Sequence, residues 1–308
     1  MDGDYSSGSP ASDYREFPVP QLLADYFLCF WTQSIGPYGE HIHRVLPDAC
    51  VDIVCIDDEA PVIVGPWTDP FTARFGAGTR IVGARLHPGR AASWVGVPAA
   101  EFLNRAVPVD LVWGPRKRSP FARMFDEPSL RARRSALAEG LLGSVAFVAP
   151  IDVAVVAGVR WLARNPNGRV AQLSRWMGVS ARQLQRRFVS SVGYGPKTLQ
   201  SVLRFQRLLS IASVEGDAQR FAALAYEAGY ADQAHMTREV RRFAGCAPSE
   251  LLGSTPSTLG MSDLFNTRDT PQGYAARCDT SRYDTSSVDN GGACRRLAPR
   301  AGGHRASS

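Results

Sequence analysis

Arg182, Gln185 and Arg186 fall within five consecutive residues and share one chemistry. A guanidinium can donate two parallel hydrogen bonds to guanine O6 and N7, and a glutamine amide can pair in the same bidentate way with adenine. At about 100° per residue, helical spacing puts all three on one face. Leu184 and Phe188, four apart, take the opposite face. Such a helix has an apolar back and a front suited to base edges in a major groove. The competing reading is a basic helix whose front is simply solvated.

The neighbouring residues supply a frame for that helix. Val170, Leu173 and Met177 recur at helical spacing, and Gly178 follows where a residue tolerant of positive φ ends a helix. Val179 is expected to point inward, and Ser180 suits an N-cap. Two short helices joined by a glycine turn, the second presenting Arg and Gln, form a helix-turn-helix pattern.

A second copy begins at Leu224. Leu173–Gly178 and Leu224–Gly229 have the same five-residue interval, Asp232 is the expected N-cap, and Met236 and Val240 are expected to face inward. Beyond the turns, Leu184, Phe188, Gly193 and Pro196 answer Met236, Val240, Gly245 and Pro248, with intervals of 4, 5 and 3 in both. The offset grows from 51 to 52 because the second turn is one residue longer. Between the copies, "PKTLQSVLRFQRLLSIA" is an apolar-striped helix that would hold the units rigidly. Their second helices could then enter successive major grooves about one DNA turn apart. A monomer would read an asymmetric site, and a homodimer is not needed for binding.

Charge follows the same boundary. Residues 169–252 carry 12 Lys/Arg against 6 Asp/Glu, which accounts for the whole net charge of +6. A basic domain joined to a neutral one suggests a polyanionic partner.

Here the stretch resembles the DNA-binding domain of AraC/XylS-type bacterial transcription regulators. The residues that carry the resemblance are "LSRWMGVSARQLQRRFVSSVGYGP", "LRFQRLLSIA" and "LAYEAGYADQAHMTREVRRFAGCAPSEL". It implies a seven-helix domain with two helix-turn-helix units, double-stranded promoter DNA and RNA polymerase as partners, and no enzymatic activity or cofactor. It implies base contacts from Arg182, Gln185 and Arg186, and in the second unit from Gln233, Thr237 and Arg238, with Ala234 too short to contribute much. Arg175, Arg187, Lys197, Arg204, Arg207, Arg241 and Arg242 are candidates for phosphate contact. Val240, Ala244 and Ser174 depart from the family's usual residues and suggest looser packing, chiefly in the second unit.

The N-terminal part has a different texture. "ACVDIVCI" alternates with period two, "PVIVG" is a short apolar run, and "RIVGARLHPG" ends at a Pro-Gly turn, all signs of strands. "LPDACVDIV" and "GARLHPG" are similar to an uncharacterised β-rich domain found on some regulators of the same family. That likeness implies a sensing role for a small-molecule effector, with a cupin-like barrel as the family precedent. Trp67, Trp94 and Trp113 would either line a ligand pocket or serve as core aromatics. Arg85, a charge inside an apolar run, would either anchor an anionic ligand or pair with Asp48 or Asp52.

Other chemistries find less support. His41 and His43 share a strand face and, with His87, Asp48 and Asp52, could ligate a metal. The alternative is an exposed, partly stacked pair near a turn, and no metal is expected. Cys29, Cys50 and Cys55 lack the spacing of the methyl-accepting site of adaptive-response proteins, which share this DNA-binding domain. A metal-binding sensor or such a DNA-linked enzyme is therefore the second reading. Six scattered cysteines do not suggest a disulfide framework. A chain 44% hydrophobic and 21% charged, without a run of about 18 apolar residues, is expected to be soluble and without a membrane span. Its polar, acidic N-terminus does not look like a signal peptide, so the cytoplasm is the expected location.

The expected fold class is α+β. Residues 1–15 are expected to be disordered, 16–115 to form a β-rich sensing domain, 116–150 a helical linker and 151–252 an all-α double helix-turn-helix domain. Residues 253–308 are too poor in large aliphatics to offset their ordering entropy and are expected to be a disordered tail.

Overall fold

The computed structural model describes residues 12–113, 119–215 and 221–253. The expectations of disorder for residues 1–11 and 254–308 lie outside them. Among the described residues, eight strands precede eleven α-helices with two exceptions, a short helix after the seventh strand and the eighth strand beyond it. The chain is β-rich at its N-terminal end and helical at its C-terminal end.

β1 (Ser12–Phe17), β2 (Phe27–Ile35), β4 (Val51–Ile56), β5 (Val62–Val64), β7 (Arg80–Leu86) and β8 (Ala106–Pro108) form one antiparallel sheet in the order β1-β2-β7-β4-β5-β8. β3 (His41–Val45) and β6 (Phe71–Phe75) form a separate two-stranded ribbon. The strands thus lie in two sheets, and among the described residues no ladder joins them into a closed barrel. Residues 12–15, expected to be disordered, begin β1 because the edge of β2 offers them backbone partners.

The alternation in β4 sorts its side chains between two apolar layers. Val51, Ile53 and Cys55 join Val82, Ala84 and Leu86 in one core, and Val54 joins Cys29, Trp31 and Ile81 in another. The register is pinned across β2 and β7, where Trp31 faces Gly83. A methyl group on Gly83 would lie 2.1 Å from the indole, so only glycine admits the ring there.

The helical segment expected to be a linker is instead a layer of this domain. α1 (Ala91–Val95) and α2 (Val109–Trp113) are followed by α3 (Ser119–Phe125) and α4 (Leu130–Ser144). Phe121, Met124, Leu137 and Leu141 are buried in the same core as Ile53 and Leu86. Arg133 on α4 is also buried and donates to the Asp58 carboxylate at 2.7 Å and to the Glu127 carbonyl at 2.9 Å, gripping the turn after β4. The sheet face needs a cover, and α4 supplies it.

Seven helices follow among the described residues: α5 (Val153–Arg164), α6 (Val170–Trp176), α7 (Ala181–Val192), α8 (Pro196–Glu215), α9 (Phe221–Ala228), α10 (Gln233–Ala244) and α11 (Pro248–Gly253). α8 is the central rod. Leu199, Val202, Phe205 and Leu208 on it are fully buried among Leu184 and Phe188 of α7 and Met236, Val240 and Phe243 of α10. Val240 and Ala244, where looser packing was expected, are both buried, beside a Phe205–Phe243 ring pair 5.4 Å apart. The two ends of the chain share this core, because Leu46 and Ala49 from the β3–β4 loop lie in it.

Leu137→Ala should lower stability by about 2–5 kcal/mol, the usual range for truncating a fully buried leucine. Urea unfolding of the full chain would measure it, and a loss below about 0.5 kcal/mol would return α4 to the status of a linker.

Candidate nucleic-acid interface

Both helix pairs are built by local chemistry. In the first, Gly178 takes φ 64° between α6 and α7. Ser180 caps α7 by accepting from the Gln183 amide at 3.2 Å, and the Gln183 side chain accepts from the Ser180 amide at 2.9 Å. In the second, Gly229 takes φ 91°, and Asp232 caps α10 by accepting from the His235 amide at 2.6 Å. Each second helix then ends on a left-handed glycine, Gly193 or Gly245. These capping bonds, reciprocal in the first pair, satisfy amides that the helix itself leaves open.

Burial separates the faces. Leu184 and Phe188 on α7, and Met236 and Val240 on α10, are wholly buried. Arg182, Gln185 and Arg186 are exposed, as are Gln233 and Arg238, while Thr237 is half-buried and its hydroxyl donates to the Gln233 carbonyl at 2.9 Å. Gln185 lies back over Gly195, where a methyl group would meet its amide at 2.3 Å. Trp176, 56% exposed beside Arg175, is an aromatic on this domain's surface that sequence reasoning did not single out.

The basic residues divide into two groups. Arg175, Lys197, Arg241 and Arg242 are exposed. Arg187, Arg204 and Arg207, expected as phosphate contacts, are engaged within the protein. Arg187 makes two bonds of 2.6 and 2.9 Å to Asp152, whose carboxylate also caps α5. Arg204 pairs with Glu239 at 3.3 Å, with its side chain only 13% exposed. Arg207 donates to the Glu227 carbonyl at 2.9 Å. These three hold helices together, each guanidinium bonding a carboxylate or a helix-end carbonyl of a neighbouring element.

Residues 173–254 match a family model described as a helix-turn-helix domain, and residues 15–108 match one described as a domain of unknown function (DUF6597). The chain carries an AraC-type helix-turn-helix domain at its C-terminal end. That domain supports a DNA-binding transcription regulator. No curated protein matches the chain. Among solved structures, ToxT from Vibrio cholerae is 10% identical, with 80% of this chain and 98% of that one covered and a TM-score of 0.40. A ToxT structure from strain O395 is 11% identical, covering 70% and 97%, with a TM-score of 0.38. These scores describe a loose likeness of arrangement.

N-terminal to the AraC-type domain, the candidate ligand and metal residues are placed as follows. Arg85 is fully buried and faces its cross-strand partner Asp52, donating at 3.0 and 3.1 Å to the two carboxylate oxygens, with Asp48 at 3.8 Å. Trp31 also donates to Asp52, at 3.3 Å. The pairing alternative therefore holds for Arg85, because a buried charge needs a partner of opposite sign. Burial pushes the Asp48 carboxyl up, against the pull of Arg85. Trp94 packs edge-on to Phe27 at 4.6 Å in the core, Trp113 donates to the Val95 carbonyl at 2.7 Å, and Trp67 stacks on Phe71 at 4.7 Å. A cleft of about 480 Å³ lies elsewhere, lined by residues that include Glu16, Phe17, Phe27, Cys29 and His87. Neither Arg85 nor any of the three tryptophans is in that lining.

His41 and His43 point inward rather than outward, both buried, with ring centroids 5.9 Å apart. Among the described residues, no three His, Cys, Asp or Glu side chains gather as metal ligands. Cys29, Cys50, Cys55 and Cys246 are buried and form no disulfide with one another, and Cys278 and Cys294 lie outside the described residues. No helix among the described residues is long and apolar enough to cross a membrane.

Burial, with His41 and Arg85 nearby, lowers the His43 imidazole from its ordinary 6.5 to about 4. Its stabilising contribution is then complete above pH 6.5 and is lost as pH falls toward 4, by up to about 3 kcal/mol. Unfolding free energy measured across that window should slope upward with pH, and His43→Phe should flatten it. An unchanged slope in the variant would assign the acid sensitivity to other groups.

Proposed function

We propose that this regulator is sequence-specific and reads promoter DNA with two recognition helices, α7 and α10, in successive major grooves. The observation that carries the reading is the repeated arrangement of capped helix, buried back and polar front on two units fixed to one rod. Arg182, Gln185 and Arg186 are assigned to bases in one groove, and Gln233, Thr237 and Arg238 to bases in the next. Arg175, Lys197, Arg241 and Arg242 are assigned to phosphates, which fix register without specifying sequence.

The N-terminal domain is assigned a modulating role. A small molecule held there would bias the orientation or availability of the reading helices in proportion to its preference for one arrangement. The cleft beside Phe17, Phe27 and His87 supports a ligand of modest size. Residues 16–115 alone were expected to make up this domain, but the packing of α3 and α4 extends it to about residue 148. RNA polymerase is the proposed partner at the promoter, and the cytoplasm the proposed location.

Arg186→Ala should weaken binding to the preferred duplex by about 1–3 kcal/mol and relax preference at one base position. Binding to a library of duplexes, each altered at one position, would measure both. An equal loss on every sequence would make Arg186 a phosphate contact instead.

A further inference from the structure

Gly193 and Gly245 hold the same place in the two units. Each closes a reading helix in the left-handed region, at φ 100° and 71°, three residues before a proline that opens the next helix. One loop of the N-terminal domain approaches both. A methyl group on Gly193 would lie 2.7 Å from Pro66 Cγ, and one on Gly245 would lie 3.4 Å from Pro70 Cγ. Four residues of extended chain reach at most about 14 Å, so one short strap spans the gap between the two helix ends.

The strap is stiff. The Gly65 amide donates to the Arg105 carbonyl at 2.9 Å, and the Asn104 amide donates to the Pro66 carbonyl at 3.1 Å. The Thr68 amide donates to the Asn104 side chain at 2.7 Å, and the Asn104 amide nitrogen Nδ2 donates back to the Thr68 hydroxyl at 2.9 Å. Trp67 stacks on Phe71, and two prolines restrict φ at the points of contact. Further bonds clamp the same side. The Gln206 side chain of α8 donates to the Pro47 carbonyl, and Arg44 donates to Cys246 Sγ at 3.5 Å.

We propose that the loop from Gly65 to Pro70 is a spacing gauge, with Pro66 and Pro70 as positioning residues. It fixes the distance and rotation between α7 and α10, so the N-terminal domain takes part in choosing which half-site separation is accepted. The inference rests on the two-helix reading above. One base pair of added spacing shifts a half-site by about 3.4 Å and rotates it by about 35°. A brace seated at the equivalent end of both helices resists that adjustment, whereas helices joined through α8 alone would accommodate part of it.

The test uses the full chain and duplexes bearing both half-sites, or either one alone, with the separation changed one base pair at a time. The wild-type protein should show one preferred spacing and lose about tenfold in affinity one base pair away, comparable to a mismatched base pair. The double variant Pro66→Gly, Pro70→Gly should bind single half-sites as the wild type does and flatten the profile to within about threefold. Asn104→Ala loosens the strap without touching either helix and should flatten it in the same direction, which keeps the test open if the double variant does not fold. Either folded variant keeping the wild-type profile would overturn the proposal, as would an equal loss on all duplexes including single half-sites. A wild-type protein indifferent to spacing would defeat the two-helix reading itself, before any variant is compared.

Discussion

The burial of one face of α8 is the constraint on which the rest of the C-terminal structure depends. Leu199, Val202, Phe205 and Leu208 are removed from water in a core that α5 and α7 close from one unit and α9 and α10 from the other. At about 1.5–3 kcal/mol for each large apolar side chain, neither unit could swing away without losing much of the domain's stability. Polar contacts add direction to that grip. Glu239 of α10 accepts from Ser201 and Arg204 of α8, and Gln200 of α8 donates to the Pro166 and Gly168 carbonyls before α6. The exposed rows on α7 and α10 therefore belong to one packed body, whose residual freedom the loop from Gly65 to Pro70 is proposed to limit.

That body does not stop at the domain boundary. Ala49, at φ 68°, and Leu46 enter the helical core from a loop that between them carries Asp48, 3.8 Å from buried Arg85. Arg85 is held in turn by Asp52 on the central strand β4. A chain of packed and charged groups thus runs from the middle of the sheet to the core beneath the reading helices. Any ligand that altered the sheet would act on this link and not through a slack tether.

Most of the helix-turn-helix architecture was legible because its signals are local. Gly178, Ser180, Asp232 and Gly245 each act on their own turn of backbone, and repetition at equal intervals made their meaning firm. The strands were legible for the same reason, since alternation in "ACVDIVCI" needs no distant partner. What packs against what was not. Leu137 announces a helix, but nothing in its neighbourhood says that the helix covers Ile53 rather than bridging two domains. The β3–β4 loop meets Gln206 across 159 positions, a contact no pattern within the loop could foretell.

Charged residues show the same limit in another form. The exposed Arg186 and the engaged Arg204 look alike in sequence, and only the approach of Glu239 separates them. Arg85 was open to two readings until the strand register put Asp52 opposite it. Long cations take their role from partners that arrive with the fold, so composition locates a basic domain but not which of its arginines are free.

The most direct measurement is a hydroxyl-radical and methylation-interference footprint of the full chain on its best genomic fragment. Two protected major-groove patches should appear on one face of the duplex, with centres about 10 base pairs apart. A single patch, or two patches on opposite faces, would contradict the two-helix reading.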